Sequence, residues 1–253
     1  MKNASKKRLR RHQRNNARLA GEWDRYAPHR RRVMALLAAL LHGKSRIALL
    51  GAGNSNDVDL RALIERDHEL HLFDLDAAAL ARAKARAPGV HVHQAELASP
   101  RTGWAPEAAA ALLERMDGPA DLAVSLGLLS QVVWALADAH GGLRGEAKGH
   151  AERAVRAHLE LASLLSPNRL FIVDTAPYET HASAFEALSE HDQLRALAAV
   201  EGRGDAIPLT TPRFLTQARI DVGANPVLHA PWIWPVAKTR PFLTYALSET
   251  PSP

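Results

Sequence analysis

The chain has no cysteine among its 253 residues, which excludes disulfide frameworks, thiolate metal centres and cysteine nucleophiles. Long apolar runs are also missing. The longest, residues 33–41, is too short to cross a bilayer, which needs about 20 apolar residues. The N-terminus is basic but lacks the apolar core of a secretory signal. We therefore expect a cytoplasmic protein that has no membrane partner.

Positive charge is confined to one end of the chain. Residues 1–32 hold twelve Lys and Arg against two carboxylates, a net charge of +10, whereas the remaining 221 residues carry a net charge of −5. Residues 1–20 offer too little apolar surface to offset the entropy of ordering them, so they are predicted to form a basic flexible tail. Such a tail can contact nucleic acid phosphates, but a solvated tail is the simpler interpretation.

Strand and helix patterns alternate from residue 46 onward, in five β-α units. An amphipathic helix with Pro28 near its start precedes them, so residues 21–45 are predicted to be an N-terminal helical cap. Residues 227–234 and 242–247 are predicted to form a terminal strand pair. Because repeated βα units favour a parallel sheet with right-handed crossovers, residues 46–253 are predicted to form one α/β domain.

A glycine pair follows the first strand. Gly51 and Gly53 let the backbone turn tightly and approach a ligand closely. Asp74 ends the second strand, 23 residues beyond Gly51. In nucleotide-binding α/β folds, a carboxylate about 20 residues after the first glycine accepts hydrogen bonds from ribose hydroxyls. Asp76 competes for this role but is better explained as the cap of the next helix.

Four segments, LLGAGNSNDVDL, LHLFDLD, VHVHQAEL and DLAVSLGLLSQ, resemble successive motifs of class I S-adenosylmethionine (SAM) dependent methyltransferases. The likeness covers about residues 46–247. It implies a Rossmann-like, seven-stranded, mostly parallel sheet with helices on both faces and a C-terminal antiparallel strand pair. It also implies an enzyme whose cofactor is SAM, with Asp74 on the ribose, Glu96 beside the adenine and the glycine loop near the methionine. The implied cofactor-binding residues are Gly51, Ala52, Gly53, Asn54, Asp57, Asp74, Leu75, Glu96, Leu97, Ser125, Leu126 and Gly127.

The sequence departs from the family pattern at one point, and two alternative functions compete with a methyltransferase. Ser55 stands where the family often has a third glycine. The segment after the fourth strand is not Asn-Pro-Pro-Tyr, which argues against methylation of the DNA-adenine type. A nicotinamide-dependent oxidoreductase would share the glycine turn, but no tyrosine is followed four residues later by the lysine that short-chain dehydrogenases need. A SAM-fold protein that has lost catalysis stays open.

The acceptor site is predicted to be an aromatic wall, although aromatic residues make up only 5% of the chain. Three segments should converge above the methyl group: the N-terminal helix, the loop after the fifth strand and the C-terminal strand pair. An oxygen or nitrogen acceptor can need a base, for which His181 is the first choice and Asp174 the second. The predicted substrate residues are Trp23, Tyr26, His29, Tyr178, Trp232 and Trp234. The two tryptophans of the strand pair can also simply pack on one face of the sheet.

The acceptor is predicted to be a small molecule, such as a specialised metabolite, because the body of the chain is acidic and shows no RNA-binding module. RNA and protein or peptide acceptors, recruited by the basic tail, remain alternatives, and the oligomeric state is left open. No metal is predicted. His91 and His93 alternate on one strand and face the same side, but the sequence places no third ligand beside them. His150 and His158 are expected only to decorate a long helix.

Overall fold

The computed structural model describes residues 2–97, 104–180, 182–201, 203–207, 209–221, 224–237 and 240–250. Within these ranges the chain forms ten helices and seven strands. In chain order they are α1 (Lys2–Leu19), α2 (Ala27–Leu40), β1 (Arg46–Leu50), α3 (Leu60–Ile64), β2 (Glu69–Asp74), α4 (Ala77–Arg86), β3 (His91–Gln94), α5 (Trp104–Met116), β4 (Leu122–Leu126), α6 (Leu128–His140), α7 (Glu146–Leu165), β5 (Arg169–Pro177), α8 (Ala182–Glu186), α9 (Glu190–Val200), α10 (Pro212–Ile220), β6 (Pro226–Ala237) and β7 (Arg240–Glu249).

The seven strands join one sheet in the order β3-β2-β1-β4-β5-β7-β6. Strands β1 to β5 pair in parallel, whereas β7 runs antiparallel to β5 and β6 runs antiparallel to β7. The predicted fold class is therefore confirmed. After the chain reaches the β3 edge it returns past β1 to form β4, so the strand order reverses between β1 and β4. Open α/β sheets bind ligands outside the carboxyl ends of the strands at such a switch point.

Helices cover both faces of the sheet, because the central strands are apolar on both sides. Ile47 and Leu49 of β1 belong to the core under α2, α3 and α4, whereas Ala48 and Leu50 belong to the core under α5 to α10. All four side chains are fully buried. Side chains alternate along a strand, so each strand contributes to both cores. None of the helices in the described ranges is long and apolar enough to cross a bilayer.

Helix caps and strand pairing set several element boundaries near the sheet's carboxyl edge. The glycine turn does not open a helix directly, because α3 begins only after Asp59, whose carboxylate caps it. Residues 182–200 hold two helices, α8 and α9, since the Ser189 side chain caps the second one. Strand β5 continues past Asp174, because β7 pairs with it beyond that point. Asp174 thus lies within a strand and not at its end.

The structure also differs from the predicted flexible tail. Residues 2–19 form helix α1, and His12 and Asn16, one helical turn apart, contact the carboxyl edge of the sheet. Arg11 forms an ion pair with Asp138 of α6. Little apolar surface is available to α1, so this helix is held largely by hydrogen bonds and charges. Polar contacts of this kind leave no hydrophobic periodicity in the sequence.

Candidate functional site

Asp74, at the carboxyl end of β2, organises the loop after β1. It is 2% exposed. Its Oδ2 accepts a hydrogen bond from the Gly53 N–H at 2.8 Å, and its Oδ1 accepts one from the Asp76 N–H at 2.8 Å. The Asp76 carboxylate caps α4, as predicted, by accepting from two backbone N–H groups of that helix. Leu75, between the two carboxylates, is partly buried. The two aspartates therefore have separate roles, and only Asp74 faces the glycine loop.

The glycine loop adopts a backbone that side chains disfavour. Gly51 and Gly53 have φ values of +76° and +48°. A Cβ at Gly51 would lie 3.1 Å from Leu128 Cβ and 3.4 Å from the Leu126 carbonyl oxygen, so a glycine is needed where the loops after β1 and β4 meet. Ser55 also has a positive φ, +51°, although it is not glycine. Left-handed backbone costs about 1–2 kcal/mol for such a residue.

Helix α1 lies against this loop. The His12 Nε2 donates to Asp74 Oδ1 at 2.8 Å, and the Asn16 side-chain amide donates to Asp76 Oδ2 at 3.0 Å. Asn54, buried in the glycine loop, donates from its side-chain amide to the Asn16 carbonyl at 2.6 Å. The Asp74 oxygen that does not face the glycine loop is therefore engaged by α1. His12 and Asn16 are not among the site residues predicted from the sequence, and their spacing of four residues is the only sequence signal of this contact.

A buried histidine connects the loop after β3 to β4. The His158 Nδ1–H donates to the Leu97 carbonyl at 3.0 Å, and the Ser125 hydroxyl donates to His158 Nε2 at 2.8 Å. Burial lowers the pKa of His158 to about 4, so the ring is neutral at pH 7. The expectation that His158 only decorates its helix is therefore wrong. It holds Leu97 in place, whereas Glu96 beside it is exposed.

Gly127 begins α6 in the left-handed region and approaches a buried carboxyl group. A Cβ at this position would lie 3.7 Å from Asp174 Oδ2 and 3.8 Å from the Trp234 ring. Asp174 Oδ1 accepts a hydrogen bond from the Thr244 hydroxyl at 2.8 Å. Burial, aided by the negative charge of Asp57, raises the pKa of Asp174 to about 8. The end of β4 and the middle of β5 therefore meet at a carboxyl group that is largely protonated at pH 7.

Tyr26, His29, Trp232 and Trp234 form one buried ring cluster beside Asp174. The rings of His29 and Trp234 stack at 4.5 Å, and Tyr26 meets Trp234 edge-on at 5.6 Å. The Trp232 indole N–H donates to His29 Nδ1 at 2.9 Å, so a neutral His29 carries its proton on Nε2. Burial, with the charges of two nearby aspartates, raises the pKa of the Tyr26 hydroxyl well above 10. Tyr26 is therefore a hydrogen-bond donor and not a base.

Two polar atoms around this cluster have no hydrogen-bond partner within the described residues: Trp234 Nε1 and Asp57 Oδ1. Asp57 Oδ1 lies 3.2 Å from His29 Nε2, but the two atoms are not aligned for a hydrogen bond. Most buried polar groups in proteins are paired, so an unpaired donor and acceptor call for an explanation. With the carboxyl group of Asp174, they place one unpaired donor and two acidic side chains around the ring cluster.

The structure brings only part of the predicted acceptor wall together. Trp23 lies under the guanidinium groups of Arg30 and Arg86, at 3.5 Å and 4.7 Å from the ring centre. Tyr178 packs edge-on against Phe185 at 5.5 Å. Neither residue belongs to the ring cluster, because Trp23 packs against two arginines and Tyr178 packs against Phe185. The spacing of residues along the sequence gives no sign of these contacts. His181, the first choice for a base, lies outside the described residues.

No family model and no curated protein sequence matches the chain, but solved structures match nearly all of it. A cyclopropane-fatty-acyl-phospholipid synthase-like protein from Lactobacillus casei aligns with a TM-score of 0.50 and 14% identity, over 96% of this chain and 99% of that chain. The 1,6-didemethyltoxoflavin-N1-methyltransferase of Burkholderia thailandensis, with S-adenosylhomocysteine bound, aligns with a TM-score of 0.46 and 16% identity, over 90% of this chain and 79% of that one. At these identities the likeness is one of fold. The chain has the fold of the class I SAM-dependent methyltransferases.

Proposed function

We propose that this protein is a SAM-dependent methyltransferase that transfers a methyl group to an oxygen or nitrogen of a small-molecule acceptor. One observation carries the proposal. At the switch point of the sheet, Asp74 anchors the Gly53 backbone, and Gly127 meets the buried carboxyl group of Asp174. A carboxylate suited to ribose hydroxyls thus accompanies two further acidic side chains, Asp57 and the buried Asp174. SAM carries both a ribose and a positive charge.

The chain's own residues would hold and orient SAM. Bound SAM supplies a methyl group on a positively charged sulfur, which an acceptor displaces directly. Asp74 would accept hydrogen bonds from the ribose, and Glu96 would lie beside the adenine. Asp57 and Asp174 would supply negative charge that favours a cation over a neutral ligand. Since the reaction is a displacement, the protein mainly aligns the two reactants and excludes water.

The ring cluster would form one wall of the acceptor pocket. Its apolar faces exclude water, and the unpaired Trp234 Nε1 offers one donor to orient an acceptor. We favour Asp174 as the base, because its pKa of about 8 lies close to neutral pH and Gly127 faces both its carboxyl group and the Trp234 ring. His181 remains a candidate base from sequence alone.

Calorimetric titration of the full chain tests the cofactor proposal. We expect SAM and S-adenosylhomocysteine each to bind with one-to-one stoichiometry, and NADH to show no heat above dilution. SAM carrying a labelled methyl group would then be incubated with panels of hydroxylated and amine-bearing small molecules. NADH binding without SAM binding would replace the proposal with the oxidoreductase alternative. SAM binding with no transfer to any acceptor class would favour the non-catalytic alternative.

A polyanionic acceptor is favoured by one feature of α1. Arg10, Arg14 and Arg18 are exposed at intervals of four residues, so they form one basic stripe on a helix that contacts the site. If the acceptor is RNA, the protein should be retained on RNA at about 50 mM salt and released at about 200 mM. Deleting residues 1–20 should abolish that retention. A chain that never binds RNA at low salt leaves the small molecule as the acceptor.

The contact between α1 and Asp74 makes a separate prediction. A ribose and His12 would use the same carboxylate, so His12→Ala should tighten SAM binding by about threefold to tenfold, the net size of one ordinary hydrogen bond. Gln13→Ala, at the exposed neighbouring position, is the control and should leave the affinity unchanged. Weaker SAM binding in His12→Ala would show instead that α1 helps to hold the bound cofactor.

A further inference from the structure

Four side chains that the cofactor site does not use meet on the other face of the sheet. Glu69 and His71 of β2 lie beside His91 and His93 of β3, with His71 directly opposite His91. Side chains alternate along a strand, so this face is the one that Asp74 does not share. Strand β3 is at the edge of the sheet and pairs only with β2 among the described strands. We refer to these four residues as the edge histidine cluster.

Three members of the edge histidine cluster have metal-ligating atoms close enough to converge. One ligand atom each from Glu69, His71 and His91 lies within 4.8 Å of the other two. Zinc binds nitrogen and oxygen at about 2.0–2.2 Å, which separates tetrahedral ligand atoms by about 3.4 Å. The most widely separated pair therefore needs to approach by little more than an ångström, whereas His71 Nε2 and Glu69 Oε1, which are 2.9 Å apart, need to separate slightly. His91 is exposed and Glu69 is partly exposed, so both side chains have room to rotate towards the buried His71.

The two ligands on β2, His71 and Glu69, each have a further partner that fixes the orientation of the side chain. His71 Nδ1 lies 3.0 Å from His93 Nε2, and the Arg46 guanidinium donates to Glu69 Oε2 at 3.0 Å. The other oxygen, Oε1, faces His71 Nε2 at 2.9 Å. Metal-ligating histidines and carboxylates usually have such outer partners, which set the tautomer and hold the ring. Arg46 leaves Glu69 Oε1 available to a metal ion. The positive charge of Arg46 repels the metal ion and therefore limits the affinity of the site for it.

We propose that Glu69, His71 and His91 form a zinc site that joins the edge strand β3 to β2. The metal takes the place of the proton between His71 Nε2 and Glu69 Oε1. His71 then carries its proton on Nδ1 and donates it to His93, whose own proton moves to Nδ1, so the protonation of the pair is unchanged. Water completes a four-coordinate shell. With nitrogen and oxygen donors and no thiolate, the set suits Zn²⁺ and accepts Co²⁺ as a spectroscopic substitute.

Titration of the full chain with Zn²⁺ in the presence of a competing chelator tests the site. We expect one zinc per chain, a rise in melting temperature with zinc, and visible absorbance typical of tetrahedral coordination when Co²⁺ replaces it. His91→Ala removes an exposed ligand without threatening the fold and should weaken zinc binding at least tenfold. Glu69→Gln should do the same. SAM binding should not change in either variant, because the site lies on the opposite face of the sheet.

The chain offers a matched control in another pair of histidines. The rings of His140 and His150 lie 5.9 Å apart on α6 and α7, outside any candidate metal cluster of the described residues. His140→Ala should leave zinc affinity and the cobalt spectrum unchanged. The proposal is overturned if the parent chain binds no zinc at 100 µM, because the binding free energy would then be weaker than about −5.5 kcal/mol. It is equally overturned if His91→Ala and Glu69→Gln bind zinc as the parent does, or if binding is lost in His140→Ala instead.

Discussion

Replacing Asp74 by alanine should weaken SAM binding by roughly tenfold to a hundredfold. The side chain is buried and would be the acceptor for ribose hydroxyls, and unpaired polar groups in such a place cost about 1–3 kcal/mol. The same carboxylate holds the Gly53 backbone N–H, so the glycine loop also loses its anchor. Calorimetry with SAM and S-adenosylhomocysteine measures the effect. Both ligands should lose affinity equally, because they share the ribose.

Asp76 provides a close control for this experiment. It lies two residues further on and is equally buried, but its carboxylate caps α4. Asparagine is as good a helix cap as aspartate, so Asp76→Asn should fold normally and bind SAM like the parent. Asp74→Asn, with the same change of charge, should not. If Asp76→Asn loses SAM affinity and Asp74→Asn keeps it, the two carboxylates have been assigned to the wrong roles.

SAM affinity should rise steeply with pH between 6 and 8. The carboxyl group of Asp174 has a pKa of about 8 because it is buried near Asp57, so it is mostly protonated below that pH. A cation bound beside it favours the ionised form. If only the ionised form binds, affinity increases by roughly fiftyfold from pH 6 to pH 8 and then levels off, with release of nearly one proton per SAM at pH 7. Calorimetry in buffers of different ionisation enthalpy measures that proton.

Asp174→Asn distinguishes the effect of Asp174 protonation on SAM affinity from the effect of ionising groups on SAM itself. The variant should bind SAM more weakly at pH 8 and lose most of the pH dependence of SAM affinity.

The same substitution should also change how the stability of the protein depends on pH. The folded pKa of Asp174 lies above the unfolded value of about 3.9, so the parent's free energy of unfolding falls as pH rises from about 4 to about 8. Asp174→Asn should lack that fall. An unchanged pH dependence in both measurements would remove Asp174 from the site.

The sequence signals for the cofactor side of the site are local. Gly51 and Gly53 mark a tight turn, and Asp74 follows them at a spacing that a βαβ unit imposes. The signals for the acceptor side are not local, and only some of the aromatic residues chosen from the sequence meet in the structure. Tyr26, His29, Trp232 and Trp234 do meet, but they come from segments about 200 residues apart in the chain, so their grouping depends on how α2 packs against β6. Nothing in their spacing separates them from Trp23 and Tyr178, which pack elsewhere.

The sequence by itself determined the order of strands and helices, the fold class that follows from it, and the aspartate at the end of β2. Each of these is set by periodicity, turn residues and short spacings, which act along the chain. Only the tertiary structure decided that α1 contacts Asp74, that burial leaves Asp174 protonated, and that His71 and Glu69 join His91. Those features depend on strand pairing, on burial and on contacts between distant segments. Their energies arise from surroundings that a linear pattern of residue types does not contain.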